Sequence, residues 1–137
     1  MEIDESRFKG WEIYSKESVE TPLIVRIDGN NFHKITNRCG MAKPFDKRFH
    51  LSMVEAAKDL MTETGLNISL AYTMSDEISL LFLKDTHLPF KGRVEKILSI
   101  LSSYASSSLQ NHLRDCFSYE GLLSFDARII KIHTHRE

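Results

Sequence analysis

The hydrophobic pattern of these 137 residues predicts an α+β protein of ferredoxin-like type, a βαββαβ antiparallel sheet with its helices on one face. Three observations carry that expectation. Short β-rich apolar runs occur at 23–28, 68–74, 78–83 and 125–132. Two longer stretches, behind Asp46 and behind Gly92, repeat apolar residues at helical spacing. Only Ser75-Asp-Glu77 separates the second run from the third, so those two form a hairpin. Right-handed crossovers then set the first and third strands side by side at the centre of the sheet, antiparallel.

Each element follows from its residues. In 5–17, Phe8, Trp11 and Tyr14 recur at helical spacing and predict a leading amphipathic helix whose aromatic stripe packs on the body. Thr21-Pro22 ends it, and a βαββαβ core is expected over 22–133. Leu23 to Asp28 is the first strand, broken by Gly29. Asn30-Asn31, Gly40 and Pro44 punctuate what reads as a loop over 29–45. Asp46 is the expected N-cap of a helix buried through Phe49, Met53, Ala56, Ala57, Leu60 and Met61, stopping near Gly65. The hairpin strands follow, with Leu70 and Tyr72 on one side. Thr86 to Pro89 is a loop. A second helix is expected from Gly92 to Leu113, buried through Val94, Ile97, Leu98, Leu101, Ala105 and Leu109. Its many serines would permit close approach of another element. The last strand, Phe125 to Ile132, leads into a polar end that contains His133 and His135.

Composition narrows the class without naming a function. A hydrophobic fraction of 42% and a charged fraction of 27% are ordinary for a soluble globular domain, and this length allows one core. No apolar run is long enough to span a bilayer, and the polar opening carries no secretory pattern, so no membrane partner and a cytoplasmic setting are expected. Cys39 and Cys116 match no zinc or disulfide framework and read as reduced thiols. A net charge of −1 gives no bulk support for nucleic-acid binding. Any RNA contact rests on local clusters, Lys43, Lys47 and Arg48 or Lys91, Arg93 and Lys96, and such clusters are more often plain solvated helix surface.

Chemistry concentrates in two acidic motifs, Arg26-Ile-Asp-Gly-Asn-Asn-Phe-His33 and Ser75-Asp-Glu77. Alternation puts Leu23, Val25 and Ile27 on the helix-covered face and leaves Ile24, Arg26 and Asp28 on the open one. The end of the first strand then lies beside the start of the third, which brings Asp28 to Asp76 and Glu77. Two convergent carboxylates can hold a pair of Mg²⁺ ions about 3.5–4 Å apart for in-line phosphoryl displacement. Gly29 would let its carbonyl reach a metal, and the N–H groups of Asn30 to His33 could cradle phosphate. Taken alone, each motif reads more readily as ordinary turn chemistry, and it is their convergence that favours a site. His33 is open between a nucleotide contact and a plain loop residue. His50, His87, His112, His133 and His135 show no metal-ligand spacing.

At these residues the chain resembles the tRNA(His) guanylyltransferase family, including its archaeal and bacterial Thg1-like relatives. The likeness also includes Ala42-Lys-Pro-Phe-Asp46, Ala71-Tyr-Thr-Met-Ser-Asp-Glu77, Arg93-Val-Glu-Lys96 and Phe125-Asp-Ala-Arg128, in family order over essentially the whole chain. The opening Phe8-Lys-Gly-Trp-Glu-Ile-Tyr-Ser15 is nearest the archaeal branch. The resemblance implies a polymerase-palm-like nucleotidyltransferase that adds G to the 5′ end of tRNA, with tRNA(His) the expected substrate. It implies activation of the 5′-phosphate by ATP or GTP, two Mg²⁺ ions, and a homo-oligomer, the family's habit being a tetramer. By position, Asp28, Gly29 and Asp76 would bind metal and Glu77 would support the acidic site. Asn30, Asn31, Phe32, His33 and Ser75 would contact the nucleotide, and Lys43, Asp46, Arg93 and Lys96 the triphosphate or the tRNA.

Three departures stand out. Asn30 replaces a common Arg, Gly92-Arg93 replaces Arg-Arg, and the family's later Trp-Arg-Gln and His-x-Asn-Asn segments have no match, which implies a chain shortened at its C-terminal end relative to the family. Within the family, G addition to tRNA(His) and repair of tRNA 5′ ends are not separable from these residues. Two rivals lie outside it. A nucleotidyl cyclase would use a similar palm without RNA. A non-catalytic RNA-binding module would need aromatic side chains on the open face, where the first and third strands offer Ile24, Arg26, Ser79 and Leu81.

Overall fold

A computed structural model describes residues 4–132, which leaves His133, the last residue of the expected core, and His135 outside the described residues. Four strands, β1 (Leu23–Gly29), β2 (Leu70–Met74), β3 (Glu77–Phe82) and β4 (Phe125–Lys131), form one sheet in the order β2-β3-β1-β4. Every neighbouring pair is antiparallel, and β1 lies between β3 and β4. This is the ferredoxin-like arrangement expected from the pattern. Two long helices, α3 (Lys47–Glu63) and α4 (Val94–Phe117), pack against each other over one face.

The buried face is apolar because alternation delivers only apolar residues to it. Leu23, Val25, Ile27, Ile78, Leu80 and Phe82 are all fully buried. They meet Met53, Ala56 and Leu60 of α3 and Ile97, Leu101, Ala105 and Leu109 of α4. Burying a large apolar side chain contributes about 1.5–3 kcal/mol, so this layer holds most of the stability. Among the described residues, no helix covers the opposite face.

Three elements differ from the sequence expectation. The leading helix is only α1 (Glu5–Lys9), closed at Gly10, not a helix over 5–17. Glycine costs about 1 kcal/mol in a helix interior, and so short a helix needs tertiary packing to persist. That packing is absent here: Phe8, Trp11 and Tyr14 are all half-exposed or more, and Phe8 and Trp11 meet edge to face. The arm is fixed further along, where Val19 N–H donates to the Gly92 carbonyl and Val94 N–H to the Glu17 carbonyl. Gly92 permits this approach, with φ +73° and no room for a Cβ beside the Val19 carbonyl.

The expected loop over 29–45 contains a helix, α2 (Phe32–Arg38), anchored by buried Phe32 and Ile35. Only two apolar residues in seven mark it, too few for a periodic signal. Finally, α4 runs one turn past Leu113, because polar Arg114, Asp115 and Cys116 do not break it. It ends at Ser118 in the left-handed region. Its serines are mostly spent on their own helix: the hydroxyls of Ser99, Ser102, Ser103, Ser106 and Ser107 donate to carbonyls three or four residues back.

Candidate active site

Three rows of side chains cross the open face. The register aligns Leu70, Leu81, Ile24 and Ile130, then Tyr72, Ser79, Arg26 and Arg128, then Met74, Glu77, Asp28 and Asp126. The face therefore grades from an apolar end to an acidic end over the length of β1. No aromatic side chain stands on its two central strands, and Tyr72 on edge strand β2 is the aromatic of the middle row. Base stacking on the sheet centre has no platform here.

At the acidic end, Asp28 faces Glu77 across the β1–β3 ladder, and Gly29 N–H donates to the Asp76 carbonyl at 3.0 Å. Residues far apart in sequence thus meet at one edge, as the topology requires. Ser75 and Asp76 make the turn between β2 and β3, with Ser75 exposed at φ +54°. Burial pushes the Asp76 carboxyl above its ordinary pKa; its own N–H offsets part of this, and repulsion from Asp28 and Glu77 adds to it.

Two arginines partly balance the acids. Arg26 donates to Glu77 Oε1 at 2.5 Å, and its Nε lies 3.4 Å from Asp28 Oδ2. Asp28 first and Glu77 second hold the Arg26 guanidinium above its ordinary pKa. Arg128 lies 3.1 Å from Asp126 and 3.6 Å from Asp28 Oδ2. Four carboxylates, those of Asp28, Asp76, Glu77 and Asp126, still outnumber two guanidiniums. Asp28 Oδ2 is buried and accepts no hydrogen bond. Its nearest donors, Arg26 Nε at 3.4 Å and Arg128 at 3.6 Å, lie beyond ordinary hydrogen-bond length, so this ion-paired oxygen still has room for a closer cation.

Among the described residues no three His, Cys, Asp or Glu side chains gather around one point. This donor set suits Mg²⁺, which is commonly held by one or two carboxylates, with water and substrate phosphates completing its shell. Asp28, Asp76 and the Gly29 carbonyl fit that requirement. Gly29 is needed for a different reason from the expected bend. It continues the strand, opposite Phe125, and a Cβ there would lie 2.7 Å from the Phe32 ring.

The remaining expected residues divide. Phe32 is 5% exposed, packed on Phe49 and Phe125, and belongs to the core rather than to a ligand surface. Asn30 spends its N–H on the Ser124 carbonyl and its side-chain amide on the Ser124 hydroxyl, so it leaves the expected phosphate cradle. Asn31 at φ +58° and exposed His33 stand at the start of α2. Asp46 caps α3, accepting from the N–H groups of Arg48, Phe49 and Ala42, and these bonds, that of Ala42 foremost, hold its carboxyl below the ordinary range. With Phe45, Phe49, His50 and Ser75 it also lines a cavity of about 170 Å³ beside the acidic edge. Lys43 donates to Asn37 nearby.

Arg93 and Lys96 sit elsewhere. Arg93 bonds the Ser15 carbonyl at the start of α4, and Lys96 lies over Phe90. That end of the sheet is where β1 begins, about 20 Å of strand from Asp28. These two cations are not part of the acidic edge within one chain.

Sequence reasoning gave no role to Asp126 and Arg128, although alternation along β4, once paired with β1, places both on the open face. Ser108, His112 and Asp59 look like a hydrolytic trio by composition only. The serine and the histidine both bind Asp59 Oδ2, at 2.6 and 3.0 Å, and clamp α3 to α4. No helix among the described residues is long and apolar enough to cross a membrane.

Fold and site together define a palm-type sheet with an acidic edge. The tRNAHis guanylyltransferase (Thg1) family model matches residues 5–133, and the chain belongs to that family. It is 36% identical over 111 residues to a human protein named "Probable tRNA(His) guanylyltransferase", covering 79% of this chain and 37% of the human one. Among solved structures, a bacterial Thg1-like protein in complex with ATP superposes with TM-score 0.79 at 32% identity, covering 93% of this chain and 56% of that one. The GTP complex of a bacterial Thg1-like protein gives 0.79 at 31%, covering 94% and 62%. The chain thus spans little more than a third to about three-fifths of the length of these relatives.

Proposed function

We propose that this chain is the catalytic palm of a 3′-to-5′ nucleotidyltransferase that adds G to the 5′ end of tRNA, with tRNA(His) as its substrate. The observation that carries the proposal is the convergence of Asp28 and Asp76 at one sheet edge, with a buried Asp28 oxygen held only by long ion pairs and accepting no hydrogen bond. Asp28, Asp76 and the Gly29 carbonyl would hold two Mg²⁺ ions. When bound, such ions favour the attacking oxyanion and neutralise charge on the leaving pyrophosphate.

The other residues orient the reactants. Arg26 fixes Glu77, so the acidic wall keeps its shape as substrate charge arrives. Ser75 and the aromatic cavity beside it would receive the nucleotide, and Lys43, Asn31 and His33 are proposed as further contacts to it. In the first step, a 5′-phosphate oxygen of the RNA attacks the α-phosphorus of ATP or GTP and pyrophosphate leaves. In the second, the 3′-hydroxyl of an incoming GTP attacks the activated 5′-phosphorus and the nucleoside monophosphate leaves. Arg93 and Lys96, remote from the acids, fit contacts to a long RNA better than contacts to a triphosphate. Self-assembly and a cytoplasmic setting are proposed on the family's pattern.

The test is transfer of label from α-³²P-GTP to 5′-monophosphorylated tRNA, with Mg²⁺ and with chelator. Incorporation that needs Mg²⁺ and disappears in Asp28→Ala and Asp76→Ala is expected. Undiminished incorporation in both variants would overturn the assignment, and a cyclic product from GTP without RNA would mark a cyclase instead.

A further inference from the structure

A second cavity, of about 550 Å³, opens on the flank of β1 away from Ser75. Its volume lies within the range of small-molecule sites. Its two charged lining residues, Lys34 and Arg38, are both exposed cations on α2, and neither pairs with a carboxylate among the described residues. They stand at i and i+4, where like charges repel and destabilise the helix. A bound anion would relieve that conflict.

The facing wall is preformed. Tyr119, 8% exposed, donates its hydroxyl to the Leu122 carbonyl at 3.1 Å, and Gln110 donates to the Gly121 carbonyl. Gly121 fits because a Cβ there would lie 2.4 Å from the Tyr119 hydroxyl oxygen. The two Asn30–Ser124 bonds tie this wall to the residue that follows Asp28-Gly29. The wall presents Leu122, 91% exposed, beside the exposed Ser124. Two cations facing an exposed apolar side chain, next to a phosphoryl-transfer edge, match a phosphate with its attached nucleoside.

We infer that this cavity is a second nucleotide subsite, with Lys34 and Arg38 on phosphate and Leu122 against the sugar or base. The inference rests on the reaction proposed above, which must hold two phosphorylated reactants at once. Its ligand is either the 5′-terminal region of the RNA or a free nucleoside triphosphate.

Affinities of the 137-residue chain for 5′-phosphorylated tRNA and, separately, for GTP decide between these. For the double variant Lys34→Ala/Arg38→Ala, affinity for one ligand is expected to fall roughly tenfold or more, since two charge-assisted bonds are lost. For RNA, the slope of log affinity against log salt should also shrink by about 1.5–2. Loss confined to RNA assigns the cavity to the strand; loss confined to GTP assigns it to the triphosphate. Lys34→Arg should retain binding. An unchanged melting temperature checks that the double variant folds, and Leu122→Ala supplies a second variant expected to weaken the same ligand. Unchanged affinity for both ligands in both variants, or a wild-type chain that binds neither, overturns the inference. Asp28→Ala is the separate arm: if it leaves Mg²⁺-dependent GTP binding intact, the proposed reaction fails whatever Lys34 and Arg38 do.

Discussion

The two faces of β1 differ by one residue of phase and by everything in their chemistry. Leu23, Val25 and Ile27 are sealed beneath α3 and α4, whereas Ile24, Arg26 and Asp28 look out from an uncovered sheet. The first set stabilises the fold and carries no reactive group. The second holds a buried carboxylate oxygen that accepts no hydrogen bond and is met only by long ion pairs to Arg26 and Arg128, beside three other acids. Stability and chemistry are thus separated by the pleat itself. Substitutions of the open-face acids should remove the chemistry without loss of stability.

That separation can be broken or sharpened. The largest effect is expected from Phe82→Ala on the covered face, which should cost about 3–5 kcal/mol in urea unfolding, most of a small domain's stability. Asp28→Ala, on the open face, should lower GTP incorporation at least about a hundredfold while the urea midpoint holds or rises. An intermediate case is Asp46→Ala, which removes the α3 cap and should cost about 0.5–2 kcal/mol. Its carboxyl is held low in the folded state, so the contribution is present above the unfolded pKa and fades as pH falls through the folded one.

Asp76 has the opposite sign. Its carboxyl is raised on folding, so the folded state binds protons more tightly and stability falls as pH climbs from the unfolded pKa through the folded one. Asp76→Asn should therefore raise the melting temperature at neutral pH while ending activity. Added Mg²⁺ should stabilise the wild type and leave that variant unmoved. The smallest effect belongs to Asp59→Asn, which opens the α3–α4 clamp. Both partners are partly exposed, so the loss should stay at or below about 1 kcal/mol and shrink in high salt.

Much of this was legible in the residues. Strand alternation and the short Ser75-Asp-Glu77 connection required an antiparallel sheet, and the topology alone brought Asp28 to Asp76. What was not legible depends on packing. The stripe of Phe8, Trp11 and Tyr14 has helical spacing but no groove to fill, so the helix stops at Gly10. Phe32 sits inside a motif that reads as ligand-facing, yet the aromatic neighbours Phe49 and Phe125 claim it. Asp126 and Arg128 became readable as site residues only once β4 had a partner and a register. The positions of Arg93 and Lys96 follow from helix direction, because α4 begins at the end of the sheet remote from the acids.

The central claim is that Asp28 and Asp76 together hold the cations against a nucleoside triphosphate. The most direct measurement is an anomalous difference map from crystals of this chain grown with Mn²⁺ and GTP. The account predicts density bridging the Asp28 and Asp76 carboxylates, beside the Gly29 carbonyl and in contact with the triphosphate. Mn²⁺ bound with GTP elsewhere, and Asp28 still facing only Arg26 and Arg128, would contradict it.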